Sequence, residues 1–342
     1  MQFHRNRTLI ETQAFLVGLI FLLSTAAWSQ TNDQSLPAHR VRTREDWSSL
    51  SLEGSDLHAE KPVFGEKFDS PKFTRELIQV QWRAGDPIDL YIIRPKGITK
   101  PPVILYLYGY PSETDRFRNN DYCERLTKDG FAAIGFVSAL TGHRYINRPM
   151  KEWFVSELQE ALVSSVHDVQ MILNFLGERG DVDTSKVGMF GQGSGGTIAV
   201  LAAAIDPRIQ VIDLLNPWGD WPDWMAKSLL IPEVERPNYV KPEFLKKIAP
   251  FDPVQWLPQL KTQHIRIEQV LDDTNTPKAA KERIEAAAPS KATIQSYDSM
   301  QQFFMAVSGD RIFRWTKEQL QPAPAAARIQ GGESAPAAPA AR

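Results

Sequence analysis

A glycine-rich turn in the middle of the chain has the form of a site for nucleophilic catalysis. The apolar stretch Val187–Phe190 precedes it, and an alanine-rich stretch follows. A serine at the tip of such a strand-to-helix turn exposes its hydroxyl oxygen for attack, and the motif that holds it is G-x-S-x-G. In this chain the framing glycines are Gly191 and Gly195, the tip residue is Gly193, and Ser194 comes one position later. Either the tip has lost its nucleophile or Ser194 has taken the role.

The sequence around this turn predicts strands that alternate with helices. Residues 76–95 alternate apolar and polar side chains on both sides of a Gly-Asp-Pro break, which predicts an antiparallel hairpin. A long helix is indicated between residues 155 and 176, where apolar residues recur at three and four positions. Continuous apolar runs predict buried strands within residues 101–110, 131–140, 181–190, 208–217 and 264–273. We therefore expect an α/β fold with a mostly parallel sheet, helices on both faces and an N-terminal antiparallel hairpin.

The order of these elements resembles the α/β-hydrolase superfamily, in particular exported dienelactone-hydrolase-like and prolyl-oligopeptidase-like hydrolases. The resemblance covers Thr74 to Leu320, and its most specific stretch is residues 180–209, with the strand, the elbow and the following helix. Hydrolases of this kind use a serine, an aspartate and a histidine, in that order along the chain. The resemblance places the nucleophile position at Gly193, where glycine keeps the turn and removes the oxygen.

The resemblance also assigns the other two triad positions. The loop "VLDDTNTP" places the acid at Asp273, whose simpler role is to cap the helix that begins near Pro277. The histidine position falls in "SYDSMQQFF", where Gln302 is the best match, and no histidine follows Asp273 anywhere in the sequence. Of the six histidines, His143 is the one expected on the catalytic edge of the sheet, as a candidate base. The triad is therefore interpreted as degenerate.

Two further segments are candidate binding elements. The family's oxyanion loop corresponds to Tyr108-Gly109-Tyr110, whose backbone N–H groups tolerate changes of side chain. Trp218, Trp221 and Trp224 follow at three-residue spacing after the strand beyond the elbow helix. They either pack a lid against the domain or form an aromatic wall over the pocket.

The composition excludes several classes of protein and ligand. Lys plus Arg number 39 against 41 Asp plus Glu, so no charge excess indicates nucleic acid or an anionic membrane. Side chains of His, Asp and Glu do not cluster at metal-ligand spacing, and we expect no cofactor and no metal. The lone cysteine, Cys123, is expected to be a buried helix residue rather than a nucleophile.

The two ends of the chain differ in composition from the domain between them. Residues 1–29 combine basic residues, a short apolar run and the small-x-small sequence Ala27-Trp28-Ser29, which predicts a cleaved export signal and no stable membrane span afterwards. Residues 30–72 are predicted to be an N-terminal arm, and residues 73–320 are predicted to be the α/β-hydrolase-fold domain. Residues 321–342 are rich in alanine and proline and are predicted to be a disordered tail.

Three hypotheses for function follow from the sequence. The first is an exported, periplasmic or extracellular pseudoenzyme that binds a small molecule or a peptide in the vestigial pocket. The second is a serine hydrolase for an ester or peptide bond, with Ser194 as nucleophile and His143 or another group as base. The third is a structural envelope protein that uses the Ala/Pro tail as a tether.

Overall fold

A single nine-stranded sheet, in the order β1-β2-β3-β5-β4-β6-β7-β8-β9, carries the fold. The computed structural model describes residues 45–52, 57–109, 113–140, 150–309, 311 and 313–321, all within one compact unit. The strands are β1 (Val63–Asp69), β2 (Phe73–Val80), β3 (Ile88–Pro95), β4 (Pro102–Leu107), β5 (Ala132–Phe136), β6 (Asp183–Gln192), β7 (Ile209–Leu215), β8 (His264–Val270) and β9 (Thr293–Tyr297).

The sheet is antiparallel at its N-terminal end and parallel elsewhere. β1, β2, β3 and β5 pair antiparallel in succession, and all pairs from β5 to β9 are parallel. The predicted hairpin is the β2–β3 pair, so the expected α/β architecture is confirmed. β1 lies within residues 30–72, the range predicted to be an arm. Six of its seven residues are exposed, so the alternating pattern that marks a half-buried strand does not appear there.

Helices connect the strands and cover both faces of the sheet. They are α1 (Asn120–Thr127), α2 (Met150–Arg179), α3 (Ser194–Ile205), α4 (Trp221–Lys227), α5 (Arg236–Tyr239), α6 (Pro242–Ile248), α7 (Pro253–Trp256), α8 (Lys278–Ala287), α9 (Met300–Ala306) and α10 (Arg314–Leu320). The proline-rich segment between residues 218 and 260 therefore folds into short helices, several of which carry proline in their first turn. None of the described helices is long and apolar enough to cross a membrane.

The pleat of each central strand divides its side chains between two apolar cores. In β4, Val103, Leu105 and Leu107 join one core, which also contains apolar side chains of α2 and α3. Ile104 and Tyr106 join the other core, beside α1 and α10. Because both faces are buried, the central strands appear as unbroken apolar runs in the sequence.

The register of the parallel strands brings their C-terminal ends to one edge. Leu107 of β4 pairs with Gly191 of β6, and Gln192 pairs with Leu215 of β7. Leu215 pairs in turn with Glu268 of β8. The loops after these strands therefore emerge side by side, and this edge is where α/β folds place their sites.

Candidate active site

A cavity of about 260 Å³ lies along this edge of the sheet. The loops that follow β4, β6, β7, β8 and β9 all contribute to it, together with one residue of the short helix Asp115–Arg118 and one residue after α4. Its described lining consists of Tyr108, Gly109, Arg116, Gln192, Gly193, Leu215, Asn216, Trp218, Leu230, Asp273, Asn275, Thr276 and Met300.

Gly193 occupies the tip of the elbow in the strained conformation that this turn requires. Its backbone has φ 55° and ψ −119°, in a region that side chains with a Cβ rarely adopt. Its N–H donates to the Leu215 carbonyl at 2.9 Å, and its own carbonyl accepts from Gly196 N at 3.0 Å and from Thr197 N at 3.2 Å. The elbow is thus fully formed although it carries no nucleophile.

The framing glycines are required by packing. A Cβ on Gly191 would lie 2.6 Å from the Gly195 carbonyl oxygen, and one on Gly195 would lie 2.0 Å from the Leu107 carbonyl oxygen. These are backbone atoms that cannot move aside. Gly191 and Gly195 are therefore fixed by the backbone packing of the turn.

The indole of Trp218 lies next to the nucleophile position. A Cβ built on Gly193 would be 3.1 Å from Trp218 Nε1, a tight contact. The tryptophan is fixed in place, because its backbone N–H donates to the Gly193 carbonyl at 3.2 Å and its own carbonyl accepts from Thr197 Oγ1 at 2.8 Å. The space beside the elbow is thus shaped for glycine at residue 193.

The structure places Ser194 away from the cavity. It is the first residue of α3 and is fully buried, and it does not contribute to the cavity lining. A nucleophile must present its oxygen to the substrate, and a fully buried side chain outside the cavity lining does not do so.

Asp273 lies in the cavity at the end of β8, where the resemblance places the acid. Its Oδ2 accepts from Asn216 Nδ2 at 3.0 Å and from Thr276 N at 3.4 Å, and its Oδ1 accepts from Asn275 N at 3.2 Å. Asn216 follows β7 with φ 44°, a conformation that asparagine tolerates better than most residues. Neutral amide groups therefore orient the carboxylate, which caps its own turn and lies before α8.

Lys281 of α8 fixes the loop that carries Asp273 by hydrogen bonds to its backbone. The buried Lys281 Nζ donates to the carbonyls of Val270 at 2.7 Å, Leu271 at 3.1 Å and Asp273 at 2.6 Å. Burial lowers the pKa of this lysine, while the nearby carboxylate of Asp273 counteracts the effect. Three charge-assisted hydrogen bonds from one ammonium group fix the backbone of the loop.

The resemblance places the histidine position at Gln302, and the residue near it that lines the cavity is Met300. Met300, the first residue of α9, lines the cavity, and its N–H donates to Asp272 Oδ1 at 3.0 Å. Gln302 is exposed and does not contribute to the lining, and its Oε1 accepts from the backbone N–H of Asp298. The described residue after β9 that faces the site is therefore Met300, two positions before the sequence match.

The described histidines lie outside the cavity. His264 begins β8 at the opposite edge of the sheet, as expected. His167 is buried on α2, where its Nδ1 lies 2.6 Å from Glu45 Oε1 and its Nε2 lies 2.9 Å from the Ser49 carbonyl oxygen. His143 falls outside the described residues, as does Tyr110 of the predicted oxyanion loop.

One end of the cavity is formed by the loop after β4. Tyr108 is buried, and burial raises the pKa of its phenol, while the neighbouring Arg116 guanidinium acts in the opposite direction. The Arg116 guanidinium lies over the Tyr108 ring, 4.4 Å from the ring centroid. Arg116 is placed there because its neighbour Phe117 packs against Gly135 of β5, where a Cβ would lie only 1.9 Å from the phenylalanine ring.

Only one of the three predicted tryptophans lines the cavity. Trp221 and Trp224 are buried behind Trp218, with ring centroids 4.5 Å apart for Trp218–Trp224 and 6.0 Å apart for Trp221–Trp224. The predicted aromatic wall is therefore one indole at the surface of the cavity with two others packed beneath it. The polar lining residues that were not predicted from the sequence are Arg116, Gln192, Asn216, Asn275 and Thr276.

Among the described residues, the cavity does not bring a nucleophile and a histidine base together. The described lining includes one carboxylate, one guanidinium, three side-chain amides and two hydroxyl groups, of Tyr108 and Thr276, but no serine, cysteine or histidine. Within the same residues, no group of three or more His, Cys, Asp or Glu side chains is placed to hold a metal ion. Cys123 is buried in α1, as predicted, and burial raises the pKa of its thiol.

Comparisons with known proteins agree with this architecture. Residues 88–212 match the dienelactone hydrolase family, a range that includes the elbow and ends before the acid loop. The chain has the α/β-hydrolase fold. The match supports the resemblance drawn from the elbow sequence, although it does not reach the acid and histidine positions. A search of curated proteins found no match.

Solved structures of hydrolases share this fold at low sequence identity. Acetyl xylan esterase 1 from Thermoanaerobacterium sp. JW/SL YS485 is 18% identical, with a TM-score of 0.54 over 74% of this chain and 87% of that one. The acetyl xylan esterase from Paenibacillus sp. R4 is also 18% identical, with a TM-score of 0.55 over 71% and 83%. Pyrococcus horikoshii acylaminoacyl peptidase is 14% identical, with a TM-score of 0.51 over 75% of this chain and 40% of that one.

Proposed function

We propose that this protein is a catalytically impaired α/β-hydrolase-fold protein that binds a small ligand in the cavity above the elbow. The observation that carries the proposal is Gly193, which adopts the nucleophile's conformation, lines the cavity and has no side chain to react. Met300, two residues before the expected histidine position Gln302, lines the same cavity and cannot act as a base. Binding requires shape and hydrogen-bonding groups, and the cavity retains both.

The alternative of a serine hydrolase acting through Ser194 receives no support from the geometry. Ser194 is fully buried at the start of α3 and does not line the cavity. Its hydroxyl would have to leave the core and pass the elbow to meet a substrate. A position near the elbow does not supply the hydrogen-bond reach that proton transfer requires.

Hydrolysis and binding assays on the full chain test the two halves of the proposal. Wild-type protein should hydrolyse p-nitrophenyl acetate no faster than the same protein after unfolding. A panel of small carboxylates, amines and sugars should include members that change the tryptophan fluorescence, and the change should disappear in Trp218→Phe. The matched control Trp256→Phe alters a tryptophan outside the cavity and should keep the signal. Turnover by the wild type would overturn the proposal.

We further propose that the protein acts after export, because residues 1–29 have the composition of a cleavable signal. Expression of the full chain in a bacterium with a periplasm should release mature protein whose first residue is Gln30. Cytoplasmic protein that retains residues 1–29 would contradict the proposal.

A further inference from the structure

The cavity carries opposite charges at its two ends. Arg116 lies at the end formed by β4, and Asp273 lies at the end formed by β8. They are the two charged side chains in its described lining. Gly193 and Asn216, which follow β6 and β7, lie between them. Three strand spacings separate β4 from β8 in the sheet order, which corresponds to about 14 Å.

Neither charged group forms a side-chain ion pair with a described residue, although the buried Lys281 ammonium lies near Asp273. The Arg116 guanidinium rests on the face of Tyr108. The carboxylate of Asp273 accepts hydrogen bonds from the neutral N–H groups of Asn216, Asn275 and Thr276 and forms no ion pair with a described cation. Each charged group therefore remains able to bind an opposite charge from a ligand.

Further donors reinforce the positive end. The Tyr108 hydroxyl is buried beside the Arg116 guanidinium, and a buried hydroxyl group normally donates its proton to a partner. The N-terminus of α3, a helix of twelve residues, begins after Gly193, which directly follows β6, the strand next to β4. Its dipole adds positive potential to the same half of the cavity. An anionic group of a ligand would be favoured there.

The wall between the two ends is partly apolar. Leu215, Trp218, Leu230 and Met300 line it, so an uncharged hydrocarbon segment would be desolvated there at little cost. A charged group in this middle region would lose water without gaining an opposite charge. The two ends and the apolar middle together favour a ligand with separated charges.

We infer that the cavity binds a small zwitterion, with its carboxylate at Arg116 and Tyr108 and its ammonium group at Asp273. This inference rests on the proposed binding function and specifies its ligand class. The two ends lie beside strands that are three positions apart in the sheet, so a ligand with widely separated charges fits both ends better than one with adjacent charges. The charges of extended ε-aminocaproate lie further apart than those of γ-aminobutyrate and glycine.

Calorimetric titration of the full chain with these three amino acids tests the inference. Caproate and hexylamine serve as controls, because each keeps one charge and a similar carbon chain. ε-Aminocaproate should bind most tightly of the three amino acids. Caproate and hexylamine should each bind roughly ten- to a hundredfold more weakly, the usual effect of losing one charge-assisted hydrogen bond.

Isosteric variants test which end of the cavity binds which charge of the ligand. Arg116→Gln should weaken binding of ε-aminocaproate roughly ten- to a hundredfold and leave hexylamine binding unchanged. Asp273→Asn should weaken ε-aminocaproate similarly and leave caproate binding unchanged. Arg118→Gln on the same short helix and Asp298→Asn in the next loop are matched controls outside the cavity and should bind like wild type. Urea unfolding of each variant verifies that it is folded.

Three outcomes would overturn the inference: no binding by any of the five compounds, equal affinity for caproate and ε-aminocaproate, or equal affinities of Arg116→Gln and Arg118→Gln. These results leave the proposed function standing if other compounds still change the Trp218 fluorescence. Hydrolysis of p-nitrophenyl acetate by the wild type would instead overturn the proposed function, whatever the charge dependence of binding.

Discussion

A buried carboxyl group beneath the cavity makes the stability of this fold depend on pH. Glu268 lies on β8 without solvent exposure, beside the equally buried Asp213 of β7. Burial raises the pKa of Glu268 to about 7, and the charge of Asp213 acts in the same direction. Arg266 opposes the shift, since its Nη2 lies 3.1 Å from Glu268 Oε1, and the Tyr297 hydroxyl donates to Oε2 at 2.7 Å.

Asp213 is the more strongly satisfied member of this pair. Arg266 Nε donates to its Oδ1 at 2.8 Å and Nη2 to its Oδ2 at 2.5 Å, and Thr316 Oγ1 donates to Oδ2 at 3.1 Å. One arginine thus faces two buried carboxyl groups. A single proton on the pair leaves the cluster neutral, and we assign it to Glu268.

The direction of the pH effect follows from proton counting. The pKa of a glutamate in the unfolded chain is 4.5, so between this pH and about 7 Glu268 keeps its proton in the folded protein and loses it on unfolding. The folded state then binds more protons, so stability falls as pH rises through this window and levels off above it. A shift of about 2.5 units corresponds to about 3 kcal/mol of lost stability.

Glu268→Gln should remove this dependence, because glutamine imitates the neutral carboxyl group at every pH. The free energy of unfolding of the variant minus that of the wild type should rise by about 2.5 kcal/mol from pH 5 to pH 8. Urea unfolding followed by circular dichroism at four pH values measures this difference. Glu285→Gln, an exposed carboxylate on α8, is the control and should show a flat difference. A flat difference for Glu268→Gln as well would refute the reasoning.

Two further substitutions test the elbow and its neighbouring loop. Gly193→Ser should lower the free energy of unfolding by about 2 kcal/mol, because serine must adopt φ 55° and its Cβ would lie in tight contact with Trp218 Nε1. An unchanged unfolding midpoint in urea would show that the site has room for a side chain. Lys281→Met should cost about 3 kcal/mol, since three backbone carbonyls lose a charged donor. The exposed Lys278→Met on the same helix is its control, and equal effects of the two would contradict the role given to Lys281.

The sheet was predictable where burial leaves a strong pattern in the sequence. β4, β6 and β7 are covered on both faces and appear as apolar runs, and the glycines of the elbow are fixed by contacts below 3 Å. β1 has no such pattern, because most of its side chains face solvent. Its place in the sheet depends on backbone pairing with β2, which leaves little signal in side-chain composition.

The position of the site in the fold was easier to predict from the sequence than the residues that line it. Asp273 and Gly193 follow strands, so strand order places them at one edge. Met300 faces the cavity instead of Gln302 because α9 begins at once after Ser299, whose Oγ accepts from Gln302 N at 3.2 Å. Arg116 reaches the cavity through tertiary packing of its short helix on β5, which spacing along the chain does not reveal.

Covalent labelling of the full wild-type chain with a fluorophosphonate probe tests the central claim most directly. The probe reacts with serine hydroxyls that a neighbouring base activates, and the described cavity lining contains no serine. Mass spectrometry of the treated protein should therefore find no adduct. An adduct on Ser194, or on any other residue of the cavity, would show that the elbow still supports nucleophilic catalysis and would contradict the account.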